Sequence, residues 1–260
     1  MRYLIRLSYD GTAFCGWQIQ NQAPSVQESL QTALAVLLKR DVAVTGAGRT
    51  DTGVHAVGYA AHFDADDLGG IEPDQLGYKL NAILPRGITV HSIVPASPDF
   101  HARFDAVRRE YTYFVHRGKD PFIAAWSLRE DRPLDVDAMN RAAALLLGTH
   151  DFSCFEKTGG NNKTSVCTVF EARWTPYEPT HAALLGFPAE GYLYFRVAAD
   201  RFLRNMVRAI VGTLLEIGRG KQAPEWMQDV LASRDRGVAG ESVPGHALFL
   251  NKVDYVAKPE

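Results

Sequence analysis

Arg2-Tyr3-Leu4-Ile5-Arg6-Leu7-Ser8-Tyr9 alternates, with Tyr3, Ile5, Leu7 and Tyr9 on one face. A period of two is that of a half-buried strand. Outward from it, Ser25-Val26-Gln27-Glu28 follows Pro24 and forms a capping box, a cap serine with a glutamate three residues on. Val26, Leu30, Leu34 and Leu37 recur at helical spacing, which predicts a helix over 25–40. Short strands are expected at 42–45 and 55–63. Residues 74–84 read as a second helix with Leu76, Leu80 and Ile83 inward, closed by Pro85, and 88–94 as a strand. The order β-α-β-β-α-β is the ferredoxin-like pattern.

The second half repeats that order with longer connections. A strand is predicted at 110–116 and a helix at 135–147, with Val136, Met139, Ala143 and Leu146 on one face and Gly148 as its stop. Strands follow near 164–174 and 191–198, helices near 202–217 and 224–233, and a last strand near 247–255. The expected fold class is α+β: two ferredoxin-like halves with mainly antiparallel sheets flanked by helices, facing each other across a central cleft. The boundary falls near residue 105, giving domains 1–105 and 106–260. Clefts between domains are common ligand sites.

The chain has 260 residues, 46% hydrophobic and 22% charged, a composition that argues against disorder. No apolar run is long enough to cross a bilayer, and the N-terminus lacks the apolar core of a signal peptide. Cys15, Cys154 and Cys167 are odd in number and far apart, which predicts free thiols, a reducing cytoplasm and no zinc site. The net charge of -2 gives no sign of a polyanionic partner. Local charge does. Residues 101–119 hold Arg103, Arg108, Arg109, Arg117 and Lys119 against Asp105 and Glu110, and residues 201–208 hold Arg201, Arg204 and Arg208 with no acid. A basic cleft on a slightly acidic protein could therefore meet a polyanion; the other reading is that these arginines are merely solvated or ion-paired. The segment from Lys157 to Lys163 is glycine-rich, polar and basic, and reads either as a mobile surface loop or as a phosphate contact.

The most unusual stretch is Ala47-Gly48-Arg49-Thr50-Asp51-Thr52-Gly53-Val54-His55-Ala56, between two short strands. Its small residues let the backbone turn tightly and approach a ligand. Arg49 near Asp51 would hold the carboxylate ionised and oriented. Taken by itself, an aspartate in such a loop also serves as a turn-former. Asp51-Thr52-Gly53 spells the D-T-G of aspartic proteases, but those enzymes need two carboxylates sharing a proton. This chain has one such triplet, and a neighbouring arginine opposes proton sharing.

Gly48-Arg49-Thr50-Asp51-x-Gly53-Val54-His55-Ala56 resembles the catalytic motif of the tRNA pseudouridine synthase A family. Further blocks of the same family appear in order. Tyr9-Asp10-Gly11-Thr12-x-Phe14-x-Gly16-Trp17-Gln18 resembles its N-terminal block; Phe100-His101-Ala102-Arg103-Phe104 with Arg109-x-Tyr111-x-Tyr113 resembles its central block. Gly148-x-His150-Asp151-Phe152, then Phe202-Leu203-x-x-Met206-Val207-Arg208, then Ser242-Val243-Pro244 complete the series. The resemblance covers nearly the whole chain. It implies the pseudouridine synthase fold, and an isomerase that converts uridine to pseudouridine at positions 38, 39 and 40 of the tRNA anticodon stem-loop. It implies Asp51 as catalytic carboxylate, Tyr111 as a stacking or proton-transfer group, and Arg208 as the arginine that pairs with Asp51. Attack at C1′, attack at C6 and deprotonation of the sugar all remain open for Asp51. The target base must leave its stack to react.

The reaction exchanges an N1–C1′ bond for a C5–C1′ bond and oxidises nothing, so no cofactor or metal is expected. The chain likewise shows no dinucleotide fingerprint or P-loop. Arg201, Arg204 and Arg208 lie at i, i+3 and i+7, hence on one face of a helix spanning roughly these residues, beside an apolar stripe of Phe202, Met206 and Ile210. Arg49, Arg103, Arg109, Lys163, Arg201 and Arg204 are the candidate RNA contacts. Trp17 is expected either in the core or, with Gln18, lining the cleft. The partners implied are tRNA and a second copy of the chain, with no membrane. Three positions depart from the family: Thr52 for alanine, Cys167 for an arginine, and Ala247 for a glycine. A competing reading is a non-catalytic RNA-binding module of tandem ferredoxin-like halves, which needs no Arg-Thr-Asp-x-Gly loop.

Overall fold

A computed structural model describes the chain apart from residues 158, 160–162, 187–189 and 257–260. Among the described residues the strands are β1 (Arg2–Tyr9), β2 (Val44–Gly46), β3 (His55–Asp64), β4 (Ile88–Ala96), β5 (Ala106–His116), β6 (Leu128–Arg129), β7 (Gly148–Asp151), β8 (Val166–Pro176), β9 (Tyr192–Ala199) and β10 (Leu248–Tyr255). The helices are α1 (Val26–Leu38), α2 (Pro73–Ile83), α3 (Val136–Ala144), α4 (Thr180–Leu185), α5 (Met206–Gly218) and α6 (Trp226–Ser233). The expected α+β class, mostly antiparallel with flanking helices, is what is seen. Two compact units are present: Met1–Arg108 joined by the strand from Phe249, and Arg109–Leu248. The switch lies just past residue 105, and the last strand joins the first unit rather than the second.

In the first unit β1 sits between β4 and β3, antiparallel to both. The inward row is Tyr3, Ile5, Leu7 and Tyr9, all buried. The other edge of β3 is shared. β2 runs antiparallel along its C-terminal end, Val44 opposite Phe63 and Gly46 opposite Ala61. β10 runs parallel along its N-terminal end, Phe249 opposite His55 and Leu250 opposite Ala56. The order β4-β1-β3-β2 is the ferredoxin-like one. Helix α1 starts where Ser25 Oγ accepts the Glu28 amide (3.2 Å) and ends at Lys39 in the left-handed region. Leu30 and Leu34 are fully buried beneath it. Truncating either to alanine is worth about 2–5 kcal/mol. In α2, Leu76 and Leu80 point inward as expected, but Ile83 is 47% exposed. Leu84 continues the four-residue row instead and is buried.

In the second unit the element order again begins β-α-β-β-α-β, through β5, α3, β7, β8, α4 and β9, with β6 added beside the end of β5. The order in the sheet is different: β9 is inserted between β5 and β8, giving β5-β9-β8-β7, all antiparallel. Helix α3 is shorter than 135–147, ending at Ala144; Asp135 caps it by accepting the Ala138 amide (2.8 Å). Its Asn140 exchanges two hydrogen bonds with the backbone of Trp174 on β8, locking helix to sheet. Helix α5 is the hydrophobic centre of the unit, with Met206, Ala209, Ile210, Leu214 and Ile217 buried. It begins at Met206, four residues later than predicted.

Candidate active site

The loop Ala47–Val54 leaves β2 and runs back along β3, starting with a bond from the Ala47 amide to the Ala60 carbonyl (2.8 Å). Its backbone is held from behind. The Trp17 amide donates to the Thr50 carbonyl (3.3 Å), the Gly53 amide donates to the Phe14 carbonyl (3.3 Å), and the Tyr59 hydroxyl donates to the Gly48 carbonyl. Thr50 is buried, and its hydroxyl shares a hydrogen bond with Tyr9 (2.9 Å). Asp51 follows, half-buried, and its carbonyl accepts the Val54 amide (3.1 Å) in a tight turn with Gly53 at φ 76°. Asp51 is thus half-buried on a backbone bonded at Thr50 and Gly53. Arg49 lies in the same loop and is exposed.

Behind the loop is an aromatic cluster. Trp17 stacks on Tyr59 with centroids 4.2 Å apart, and Tyr9 meets Tyr59 edge-on at 5.5 Å. Trp17 is buried, so of its two expected places it takes the core; Gln18 is exposed. Two glycines make the close approach possible. A Cβ on Gly16, at φ 89°, would lie 2.2 Å from the Thr50 carbonyl oxygen, and one on Gly11 would lie 2.1 Å from that of Val54. His55 closes the turn: its Nδ1 accepts the Gly11 amide (3.0 Å), and its ring stacks on Phe249 of β10 at 4.5 Å. Asp10 Oδ1 lies 3.1 Å from the same Nδ1. A nitrogen that accepts an amide hydrogen carries none of its own, so this contact is not an ion pair.

Arg103 does not join this loop. It lies exposed in the turn 100–105, over the Phe104 ring at 5.7 Å. That turn is tied to the opposite end of β3 by the Ala102 amide on His62 Nδ1 (3.1 Å). Seven residues of strand separate His55 from His62, on the order of 20 Å. Burial, with Arg2 adding to it, pushes His62 down to about 4, so its ring is neutral and free to accept.

In the second unit, β5 meets the turn ahead of α5 through Arg109 and Tyr111. Tyr111 is buried on β5 and meets Phe202 edge-on at 5.1 Å. Arg109 Nη1 donates to the Asp200 carbonyl (2.7 Å), which pins the turn. The expected helical row of arginines is not present. Arg201 and Arg204 precede the helix, and only Arg208 is in it; the Phe202 end of the apolar stripe falls outside too. The cause is local commitment of the backbone. Asp200 Oδ1 accepts the Arg201 amide (2.7 Å), the Lys157 amide donates to the Arg204 carbonyl (3.0 Å), and Asn205 is left-handed at φ 67°. Arg204 is exposed and Arg201 half-buried. Lys163 is exposed; in the Lys157–Lys163 loop, residues 158 and 160–162 lie outside the described residues.

Arg208 is held by a strap, Gly240–Pro244, laid along α5. The Gly240 amide donates to Thr213 Oγ1 (2.9 Å), the Val243 amide to the Arg208 carbonyl (3.2 Å), and Arg208 Nε to the Val243 carbonyl (2.7 Å). The next carbonyl, Pro244, accepts the Tyr113 hydroxyl (2.9 Å). Burial pushes the Tyr113 phenol above its ordinary range, with Arg208 opposing, so it stays a donor. Neither Tyr113 nor His55 stands out in the sequence as a single group, although both lie within the motifs quoted above. Cys167 is buried on β8, where burial pushes its thiol up to about 12. Ala247 is fully buried in a short turn before β10.

A family model described as tRNA pseudouridine synthase matches residues 6–105 and 142–256. The chain is 44% identical to tRNA pseudouridine synthase A of Porphyromonas gingivalis over 254 residues, covering 98% of this chain and 97% of that protein. It is 47% identical to the protein of that name from Bacteroides thetaiotaomicron, covering 98% of this chain and 90% of the other. For the one from Bacteroides fragilis the identity is 45%, over 98% and 96%.

Proposed function

The chain belongs to the tRNA pseudouridine synthase family, and from that premise we propose that it isomerises uridine in the tRNA anticodon stem-loop, at positions 38, 39 and 40, with Asp51 as catalytic carboxylate. As a member of that family it is an isomerase that acts on tRNA. The observation that carries the assignment of Asp51 is its setting. The loop around it is bonded at Gly48, Thr50 and Gly53 to buried aromatic neighbours and the Phe14 carbonyl, while Asp51 itself stays half-buried. A turn-forming aspartate needs no such backing. A group that must meet the reacting nucleotide in one geometry does, because misplacement costs rate steeply.

In this reading Asp51 acts on the flipped nucleotide as N1–C1′ breaks and C5–C1′ forms, and C5 then gives up its proton. Tyr111 offers a ring to stack on the extruded uracil and a hydroxyl for proton transfer. Arg208 supplies the cation that keeps the carboxylate ionised. Arg49, Arg103, Arg109, Lys163, Arg201 and Arg204 meet phosphates, with Arg109 also bracing the turn before α5. The enzyme works as a homodimer in the cytoplasm. The test is tritium release from C5-tritiated uridine in a tRNA transcript, wild type beside Asp51→Ala. Release by the wild type alone is expected. Equal release by both would remove Asp51 from the mechanism, and none from several tRNAs would leave a binding protein.

A further inference from the structure

We infer that Tyr113 is a positioning residue for the reaction, acting through the Gly240–Pro244 strap on Arg208; this rests on the reading of Arg208 as the cation of the active site. The path has three links. Tyr113 fixes the Pro244 carbonyl with its hydroxyl (2.9 Å), the adjacent Val243 carbonyl takes Arg208 Nε (2.7 Å), and the Val243 amide returns to the Arg208 carbonyl (3.2 Å). A planar guanidinium bonded at Nε is held in one plane, so the place of the Val243 oxygen decides where the group points.

The strap is built to be immobile elsewhere. Ser242 Oγ accepts from Asn205 Nδ2 (2.6 Å) and from Arg236 Nη2 (2.8 Å). Gly212 of α5 has no room for a side chain, since a Cβ there would lie 1.7 Å from the Glu241 carbonyl oxygen. At the Pro244 end the strap is fastened to β5 by Tyr113, a fully buried residue two places along the strand from Tyr111. One strand thereby carries both the ring assigned to the uracil and the hydroxyl that sets the arginine. Loss of that hydroxyl leaves the Pro244 carbonyl without this donor and loosens the strap at the residue next to Val243.

The experiment is a double-mutant cycle of Tyr113→Phe and Arg208→Lys, read as kcat and KM for tritium release from a tRNA transcript. Lysine keeps the charge but has no Nε donor for the strap. Tyr113→Phe alone should lower kcat about tenfold with KM changed less than about twofold, since the arginine acts in the chemical step. In the Arg208→Lys background the same change should cost less than about twofold more, because the path is already cut. Full additivity overturns the inference, and so does a Tyr113→Phe enzyme with normal kcat. A rise in KM alone also overturns it, pointing to RNA binding. Thermal melts of the four proteins keep it testable if Tyr113→Phe folds poorly: the pair should be coupled in stability as well, and independence there overturns the strap path. Arg208→Lys at full rate would sink the reading of Arg208, and the inference with it, a result distinct from additivity.

Discussion

At the scale of single residues, Asp51 and Tyr111 separate charge from shape. Asp51→Asn keeps volume and removes the charge, so tRNA should still bind while turnover falls by about a thousandfold or more. Retained turnover in the tritium assay would show that the loop serves the fold only. Tyr111→Phe keeps the ring. A near-normal rate means that the ring does the work, and a large loss means that the hydroxyl moves a proton. The position of Asp51 is legible in the sequence because the small residues around it are unusual between two strands. Its backing is not, because Tyr9 and Trp17 share one block while Tyr59, which joins them, comes from a strand far along the chain, and no local pattern links the two. Tyr113 illustrates the same limit. Its alternation with Tyr111 marks a strand face, while its partner at Pro244 is set by tertiary packing alone.

Among elements, the Asp51 loop is held by close packing against the Phe14–Trp17 turn. Gly16→Ala adds a Cβ 2.2 Å from the Thr50 oxygen at a φ of 89°. It should cost about 2–4 kcal/mol in urea denaturation and depress turnover further. Gly69→Ala is the control, with φ 66° but nothing within 4 Å, and should cost about 1 kcal/mol. The turn before α5 invites a second test. Arg204→Ala should weaken tRNA binding and make log K fall less steeply with log salt, by a slope of about one for each phosphate the side chain neutralises. An unchanged slope would mean that Arg204 touches no phosphate. The arginine spacing at 201, 204 and 208 has the right period for one helical face. The helix starts too late for that, because Asn205 turns left-handed and the Arg204 carbonyl is taken by Lys157. The one local signal is Asn205 itself, a residue type that favours the N-cap and tolerates the left-handed region, directly ahead of Met206.

Across the whole molecule, part of the acid stability follows from histidines that burial shifts down, His101 and His116 among them and His62 most of all. His62 titrates near 4 in the folded protein against 6.5 as its ordinary value, because burial and Arg2 disfavour its charged form. The unfolded chain therefore binds the extra proton first. Stability contributed by the neutral ring is complete above pH 6.5 and is lost as pH falls through the window down to 4. Melting temperature should drop between about pH 6.5 and about pH 5, before most carboxylates titrate, and a flat profile there would contradict the burial of His62. The repeat expected from the sequence, through strands 164–174 and 191–198, helix 202–217 and strand 247–255, is not the one in the structure, which runs through β7, β8, α4 and β9, while β10 joins the first unit. The insertion of β9 beside β5 is not legible either, since alternation gives strands but not neighbours.

The strand β10 carries a consequence for synthesis. It lies along β3 beside His55 and stacks Phe249 on that ring, yet it follows the whole of Arg109–Leu248 in the chain. On the ribosome the first unit emerges early, but its wall behind the aspartate loop must wait for the second unit to be made. A nascent chain paused anywhere in the second unit holds Asp51 without that support. The brace on this side of the loop is thus complete only once the body of the chain has been translated.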